Sequence, residues 1–263
     1  MNHFIRVAGL AMLTFTLAFA HGVSAQGFAD DFAGTGELQG YTTNNGSALP
    51  DVTRFEGRYR ARLTNNSNNI TLHFNDSQGR LDAKRLAFPF DVIARNIGIG
   101  IPENSQIAPS PAGNPFIFAG IQVHVLNLNQ ASSSHVVVGH RGSTHFTIEG
   151  KNTLNGDSSV NDDGANVLPM GRADIRIQGN ADRSLTIYWQ NPNPNPGVMN
   201  DDWNLYRGTG QLPGPSPSYE SEVYVGLITY AFFSTGVPFT GTADALEVFG
   251  NTPNPNIFAD SFE

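Results

Sequence analysis

From Tyr59 to Phe249 the chain is built of short segments in which every second residue is apolar, separated by clusters of Gly, Pro, Asn and Asp. Period two is the repeat of a strand with one face on a core, and turn clusters at short intervals make strands the repeating unit. No stretch after the first residues shows the 3.6-residue period of an amphipathic helix. A chain of about a dozen such strands closes as an antiparallel two-sheet β-sandwich, so the expected class is all-β.

The clearest strands are Gly171 to Gly179 with Arg183 to Gln190, read as a pair, then Val223 to Phe233 and Thr242 to Phe249. Phe116 to Leu128 is the longest apolar run and is expected in the middle of a sheet. Arg58 to Thr64 alternates Tyr59, Ala61 and Leu63 against Arg58, Arg60 and Arg62, and is expected to form a hairpin with Asn69 to Phe74. Leu86 to Ile93 and Asn96 to Ile101 read as two further strands. His135 to His140 and His145 to Gly150 flank a turn at Gly142-Ser143, which sets His140 opposite His145. Such a pair could share a transition metal, but an ordinary surface pair is the better reading. Residues 151–170 and 191–220 read as long loops.

The first 25 residues stand apart. Arg6 precedes the apolar run Leu10 to Ala20, and Val23-Ser24-Ala25 offers small residues before a cut. This is the pattern of a cleaved secretory signal, and the run is too short to cross a bilayer, so a secreted protein, extracellular or periplasmic, is expected. Residues 26–250 are expected to form one domain and 251–263 a short linker and tail, whose ending Phe258-Ala259-Asp260-Ser261-Phe262-Glu263 resembles the F-x-D-G-F-E-type tails of proteobacterial exoproteins. The chain has no cysteine, which excludes thiolate metal sites and cysteine nucleophiles and favours a bacterial exoprotein over a disulfide-stapled module. A net charge of −8 gives no bulk attraction for nucleic acid or an anionic membrane, and a monomer is expected.

The opening Asp30-Asp31-Phe32, the central Ile175 to Gln190 with Trp203 and Tyr224-Val225-Gly226-Leu227, and the closing Ala243 to Val248 together resemble the concanavalin A-like lectin/glucanase superfamily, laminin G-like jelly rolls in particular. The likeness covers roughly residues 28–250. It implies a carbohydrate-binding or adhesion protein acting on a polysaccharide or cell-surface glycan. It also implies a structural calcium ion near the paired termini, with Asp30, Asp31 and Asp244 as donors. Exposed rings are the sugar platforms of such proteins, so Trp203, Tyr188 and Tyr206, with Arg176 among them, are the ligand-binding candidates. The superfamily's E-x-D-x-x-E glucanase strand is missing, and Glu149, in the middle of an apolar strand, has no evident partner carboxylate for glycosidase chemistry.

Gln122-Val123-His124 is similar to the Q-[IV]-H strand of alginate-lyase-type jelly rolls. Gln122 and His124 share the face opposite Ile121, Val123 and Val125. Elimination from a uronate needs a group to neutralise the sugar carboxylate and a base for the C5 proton. Gln122 with Arg60 or Arg62 could supply the first, and His124 or Tyr224 the second. The R-[ST]-E-L and Y-x-K-x-G-x-Y motifs of those lyases are not matched, so a lyase is the alternative to a binding protein, and a structural exoprotein is a third reading. For Gln122 and His124 the plainer reading is two polar residues on a solvated sheet face.

Overall fold

A computed structural model of the chain describes residues 28–34, 38, 40–46, 51–54, 57–63, 79–100, 116–141, 146–164, 168, 171–192, 202–232 and 239–250. In chain order the strands are β1 (Phe28–Asp30), β2 (Thr42–Asn44), β3 (Asp51–Arg54), β4 (Tyr59–Leu63), β5 (Arg80–Ala87), β6 (Phe90–Gly100), β7 (Phe116–His124) and β8 (Ser133–Arg141). They continue with β9 (Phe146–Leu154), β10 (Asp157–Asp162), β11 (Arg172–Gly179), β12 (Leu185–Gln190), β13 (Asn204–Leu205), β14 (Glu222–Phe232), β15 (Phe239–Ala243) and β16 (Ala245–Gly250). A 3-10 turn lies at Tyr206–Gly208.

The strands form two antiparallel sheets, and the protein is a β-sandwich. One sheet has seven strands in the order β10-β9-β8-β7-β14-β5-β2. The other has nine: β13-β12-β11-β6-β15-β4-β3, with β16 also on β6 and β1 on β16. Strands β15 and β16 lie end to end along β6, parted at Asp244, whose N–H donates to the Arg95 carbonyl at 2.9 Å. The opening strand pairs with the closing one, Phe28 opposite Val248 and Asp30 opposite Leu246, as the sequence led us to expect.

Parity decides which side chains meet between the sheets. From the nine-stranded sheet these are Tyr59, Ala61, Val92, Ala94, Ile175, Ile177, Ile187 and Leu246, all at 1% exposure or less. From the seven-stranded sheet they are Ile117, Ala119, Ile121, Val123, Val136, Val138 and Ile148. Ala119 and Thr229 lie against Gly241 of β15, which sets this face of β7 and β14 inward. A β-bulge keeps β6 in register with its core. Between Ala173 and Ile175 the ladder skips a residue of β6, and Asn96 there adopts φ 48°. Val92 and Ala94 before the bulge and Ile97 and Ile99 after it thus point the same way.

Three expectations need correction. Leu86 to Ile93 is not one strand: the chain leaves the seven-stranded sheet at Ala87 and enters the nine-stranded sheet at Phe90, through a cis Phe88-Pro89 bond. Residues 151–170 are not one loop, because β9 runs to Leu154 and Asn155-Gly156 turns directly into β10. Both turn residues have positive φ, 52° and 92°, as a two-residue primed hairpin turn requires. We expect Gly156→Val to lower stability by about 1–3 kcal/mol, read as a fall in the thermal midpoint, because a branched side chain is strained at that φ. Finally, β4 pairs with β15 and β3. The expected partner at 69–74 lies outside the described residues, as do residues 1–25, the tail 251–263 and the Gly142-Ser143 turn.

Candidate functional site

The outer face of the seven-stranded sheet carries the alternate set of residues on the same strands. Antiparallel register puts them in rows. One row reads Thr153, Ser133, His124, Tyr224, Arg85 across β9, β8, β7, β14 and β5. The next reads Lys151, His135, Gln122, Gly226. Glu149 heads a third row, and Phe118 with Tyr230 closes a fourth. Polar and aromatic residues stand here beside the buried Val137, Ile228 and Leu81, where a two-layer sandwich ordinarily presents a solvated surface, and Gln122, His124, His135, Glu149, Lys151 and Tyr230 are all at 4% exposure or less. Gln122 and His124 therefore do not sit on a solvated face.

Tyr230 organises the buried part. Its ring stacks on Phe118, with centroids 4.7 Å apart and planes 22° apart, and Phe118 lies over Gly139, where a Cβ would stand 1.9 Å from the ring. The Tyr230 hydroxyl donates to Glu149 Oε1 at 3.0 Å and lies 3.2 Å from His135 Nε2. A hydroxyl already donating to the carboxylate can only accept from the histidine, so the ring proton belongs on Nε2. Burial, and then the charge of Lys151, pushes His135 well below the ordinary histidine range and keeps it neutral. Burial also brings the Lys151 ammonium down to about 7, with Glu149 pulling the other way, and its Nζ sits 5.2 Å from the Tyr230 ring. Glu149, which had no evident partner in the sequence, is thus one member of an acid–base cluster drawn from β8, β9 and β14.

The cluster grades into a more open end. Gln122 Nε2 donates to Ser133 Oγ at 3.1 Å. His124 Nδ1 is 2.8 Å from the Val125 carbonyl, and burial lowers its pKa. Directly across from His124 stands Tyr224, half-buried, and beyond it Arg85, ion-paired to Glu222. Gln122, His124 and Tyr224 are therefore brought together. Arg60 and Arg62 are not, because β4 belongs to the other sheet, where they stand opposite Thr242 and Thr240. The arginine in the row of His124 and Tyr224 is Arg85. Alternation told which face of a strand each arginine takes, but not which sheet the strand joins.

Three of the four ligand-binding candidates also meet, on the outer face of the nine-stranded sheet. The Arg176 guanidinium lies 5.4 Å from the Tyr188 ring and 5.9 Å from the Trp203 ring, and Arg95 lies 5.9 Å from Trp203 on its own account. Arg176 is fixed by a bidentate pair with Asp91, and Arg95 by Glu247 and Asp174. Tyr206 is the exception: it is fully buried and donates its hydroxyl to the Asn161 carbonyl at 2.7 Å, so it is a core residue and not a platform.

No protein-family model matches the sequence, and no curated protein matches it either. Solved structures do match in shape. A mutant of the GH43 protein BlXynB from Bacillus licheniformis superposes with a TM-score of 0.55 at 12% identity, over 84% of this chain and 39% of that one. A xylan β-1,4-xylosidase from Bacillus halodurans gives 0.52 at 13%, over 84% and 38%. A bifunctional GH43-CE protein of Bacteroides eggerthii gives 0.51 at 13%, over 86% and 26%. The fold is a concanavalin A-like jelly roll. The chain spans about two fifths or less of those three proteins, and at such identities the likeness is one of fold alone.

Where the jelly roll's first and last strands pair, the carboxylates expected to hold calcium are otherwise engaged. Asp30 accepts from the Phe32 N–H, the Tyr41 hydroxyl and Arg54 Nη2 at 2.9, 3.1 and 2.5 Å. Asp31 accepts from the Ala33 N–H at 3.0 Å. Asp244 pairs with Arg58 at 2.5 Å and accepts from Asn96 Nδ2 at 2.6 Å. Among the described residues no three His, Asp or Glu side chains are grouped to hold a metal ion. The register also sets His140 opposite Phe146 and not opposite position 145.

Proposed function

We propose that the protein is a secreted carbohydrate-binding protein that takes a glycan chain on the outer face of its seven-stranded sheet, entering at the row His124–Tyr224–Arg85. The observation that carries this reading is the burial of six polar and titratable side chains on the sheet face turned away from the other sheet. Burying such groups costs free energy, and clusters of them with shifted pKa values are a mark of functional sites. Tyr224 and Arg85, only partly buried, give a ring and a cation at the open end, while Gln122 and His124 give fixed hydrogen-bonding groups beside them. The export signal in the sequence agrees with an extracellular ligand. Retention on a panel of insoluble and immobilised polysaccharides tests the reading. At least one should retain the protein, and Tyr224→Ala should weaken that retention about tenfold or more, which corresponds to about 1.4 kcal/mol. A panel that retains nothing, or a retention indifferent to Tyr224 and His124, overturns it.

A second reading, a lyase of uronate polymers, rests on the adjacency of His124 and Tyr224 with Gln122 one row away. In that reaction a base removes the C5 proton, the C4–O bond breaks, a C4–C5 double bond forms and the departing oxygen takes a proton. His124, kept neutral by burial, is suited to the base, and the Tyr224 hydroxyl to the acid. Appearance of the unsaturated product's ultraviolet absorbance on alginate or pectate, lost with His124→Ala, would establish it. Silence on both polymers would leave binding alone.

A further inference from the structure

On the far side of the sandwich, a cleft of about 320 Å³ opens on the outer face of the nine-stranded sheet, at the lower end of the range for small-molecule sites. Its walls come from three places distant in sequence: Phe90 and Asp91 at the start of β6, Gln178 and Asn180 at the end of β11, and Phe249 near the end of β16. Phe249 stands directly across the ladder from Asp91, and Asp91 directly across from Gln178. The cleft is thus floored by one register row, with an aromatic ring at one end and amides at the other.

Each wall has a definite chemistry. Phe249 is 51% exposed, the most exposed large hydrophobic side chain among the described residues, and nothing in the core requires it there. The Asp91 carboxylate is neutralised by Arg176, through Nε at 2.9 Å and Nη2 at 2.5 Å, and also accepts from Gln178 Nε2 at 3.1 Å. That uses one N–H of the Gln178 amide and leaves its carbonyl oxygen and second N–H to the cleft. Asn180 is committed further: its Nδ2 donates to both Ser184 Oγ at 3.0 Å and Thr186 Oγ1 at 3.1 Å, leaving Oδ1. Gly179, between them, lies flat on the buried Phe90 ring, where a Cβ would approach to 2.4 Å, so a larger residue would push that ring aside.

We propose that this cleft is a second carbohydrate site, specific for an uncharged sugar and independent of the seven-stranded face. Two fixed acceptors beside a ring are complementary to a pyranose: hydroxyls donate to the amide oxygens, and the C–H face of the sugar stacks on Phe249. A carboxylated sugar would meet two amide oxygens and a carboxylate already paired with Arg176. Two residues along β11, about 7 Å away, Arg176 leads to the Tyr188 and Trp203 rings, so a short oligosaccharide leaving the cleft runs onto a second aromatic platform.

Calorimetric titration of the secreted protein with cellohexaose, xylohexaose and mannohexaose tests the site, with an alginate hexamer as the charged counterpart. One of the neutral hexaoses should bind, and Phe249→Ala and Gln178→Leu should each weaken it about tenfold or more with the thermal midpoint unchanged. If none of the three binds, if the alginate hexamer alone binds, or if binding is lost with Tyr224→Ala and kept with Phe249→Ala, the proposal is overturned. Failure of the seven-stranded face to bind any glycan would leave this site standing, because the two faces share no residue.

Discussion

Asp82→Ala should cost about 3–5 kcal/mol of folding stability, the loss typical when one partner of a buried charged network is removed. Asp82 lies on β5, facing inward at 0% exposure. Its two oxygens accept from four donors on three elements: Arg80 Nε and Nη2 at 2.9 and 3.1 Å, Thr43 Oγ1 at 2.6 Å and the Tyr59 hydroxyl at 2.8 Å. Thr43 belongs to the edge strand β2, and Tyr59 reaches across from the other sheet, so this carboxylate joins the two layers as well as two strands. Burial and the charge of Asp82 hold the Tyr59 hydroxyl protonated well past its ordinary range. Alanine would leave the partly buried Arg80 guanidinium, the buried Tyr59 hydroxyl and the Thr43 hydroxyl without their acceptor. Against a typical total of 5–15 kcal/mol, that is a large share. Urea unfolding should show a lower midpoint with an unchanged slope. Asp91→Ala is the comparison, since its partner Arg176 and Asp91 itself are about a quarter exposed, and a loss of only about 1 kcal/mol is expected. Equal losses at the two positions would show that Asp82 joins nothing.

Asp82 also illustrates what local sequence conveys and what it does not. The alternation that marks β11 and β12 is legible because Ile175, Ile177, Leu185 and Ile187 repeat at period two towards the core, whereas β7, buried on both faces, is legible as a long apolar run. Strand β10 was overlooked because it is an edge strand with no buried residue to alternate, although Asn155-Gly156 before it is a hairpin turn by its residue types. Leu86 to Ile93 looked continuous because Phe88 and Phe90 pack on each other at 4.9 Å across the corner, so apolarity does not lapse where the chain changes sheet.

The site follows the same division. That Gln122 and His124 share a face follows from strand geometry alone. That Tyr224, His135, Glu149, Lys151 and Tyr230 share it with them depends on the register of β8, β9 and β14, which is set by pairings between distant segments. Aromatic residues posed the converse difficulty. Tyr206 and Trp203 lie three residues apart in one loop, and nothing local distinguishes the ring that fills the core from the ring left half-open between two arginines.

Stability should rise as pH is raised from about 7 towards 10, and Lys151→Met should flatten that rise. In the folded protein burial brings Lys151 down to about 7, whereas the unfolded chain restores an ordinary lysine near 10.4. Across that interval the unfolded state binds the extra proton, so raising the pH favours the fold, by at most about 1.4 kcal/mol per pH unit for one proton. His135 and His124 act in the same sense lower down: burial lowers both, so the unfolded state takes their protons first and stability falls as pH drops through about 6.5. Above about 10 the sign reverses. Burial raises the hydroxyls of Tyr59, Tyr206 and Tyr219, the unfolded state loses those protons first, and stability is lost as pH climbs further. Each group facing Lys151 bears on its share. Glu149 favours the charged amine, whereas Gln122 in its row is neutral and His135 opposite it stays uncharged. Met keeps the length of the side chain and removes the buried charge, so the variant should be at least as stable as the parent at pH 7 and gain less on going to pH 9. Thermal midpoints at pH 5, 7, 9 and 11 measure this, and a parent protein whose midpoint is flat or falling between pH 7 and 9 would show that Lys151 is charged and solvated in the fold.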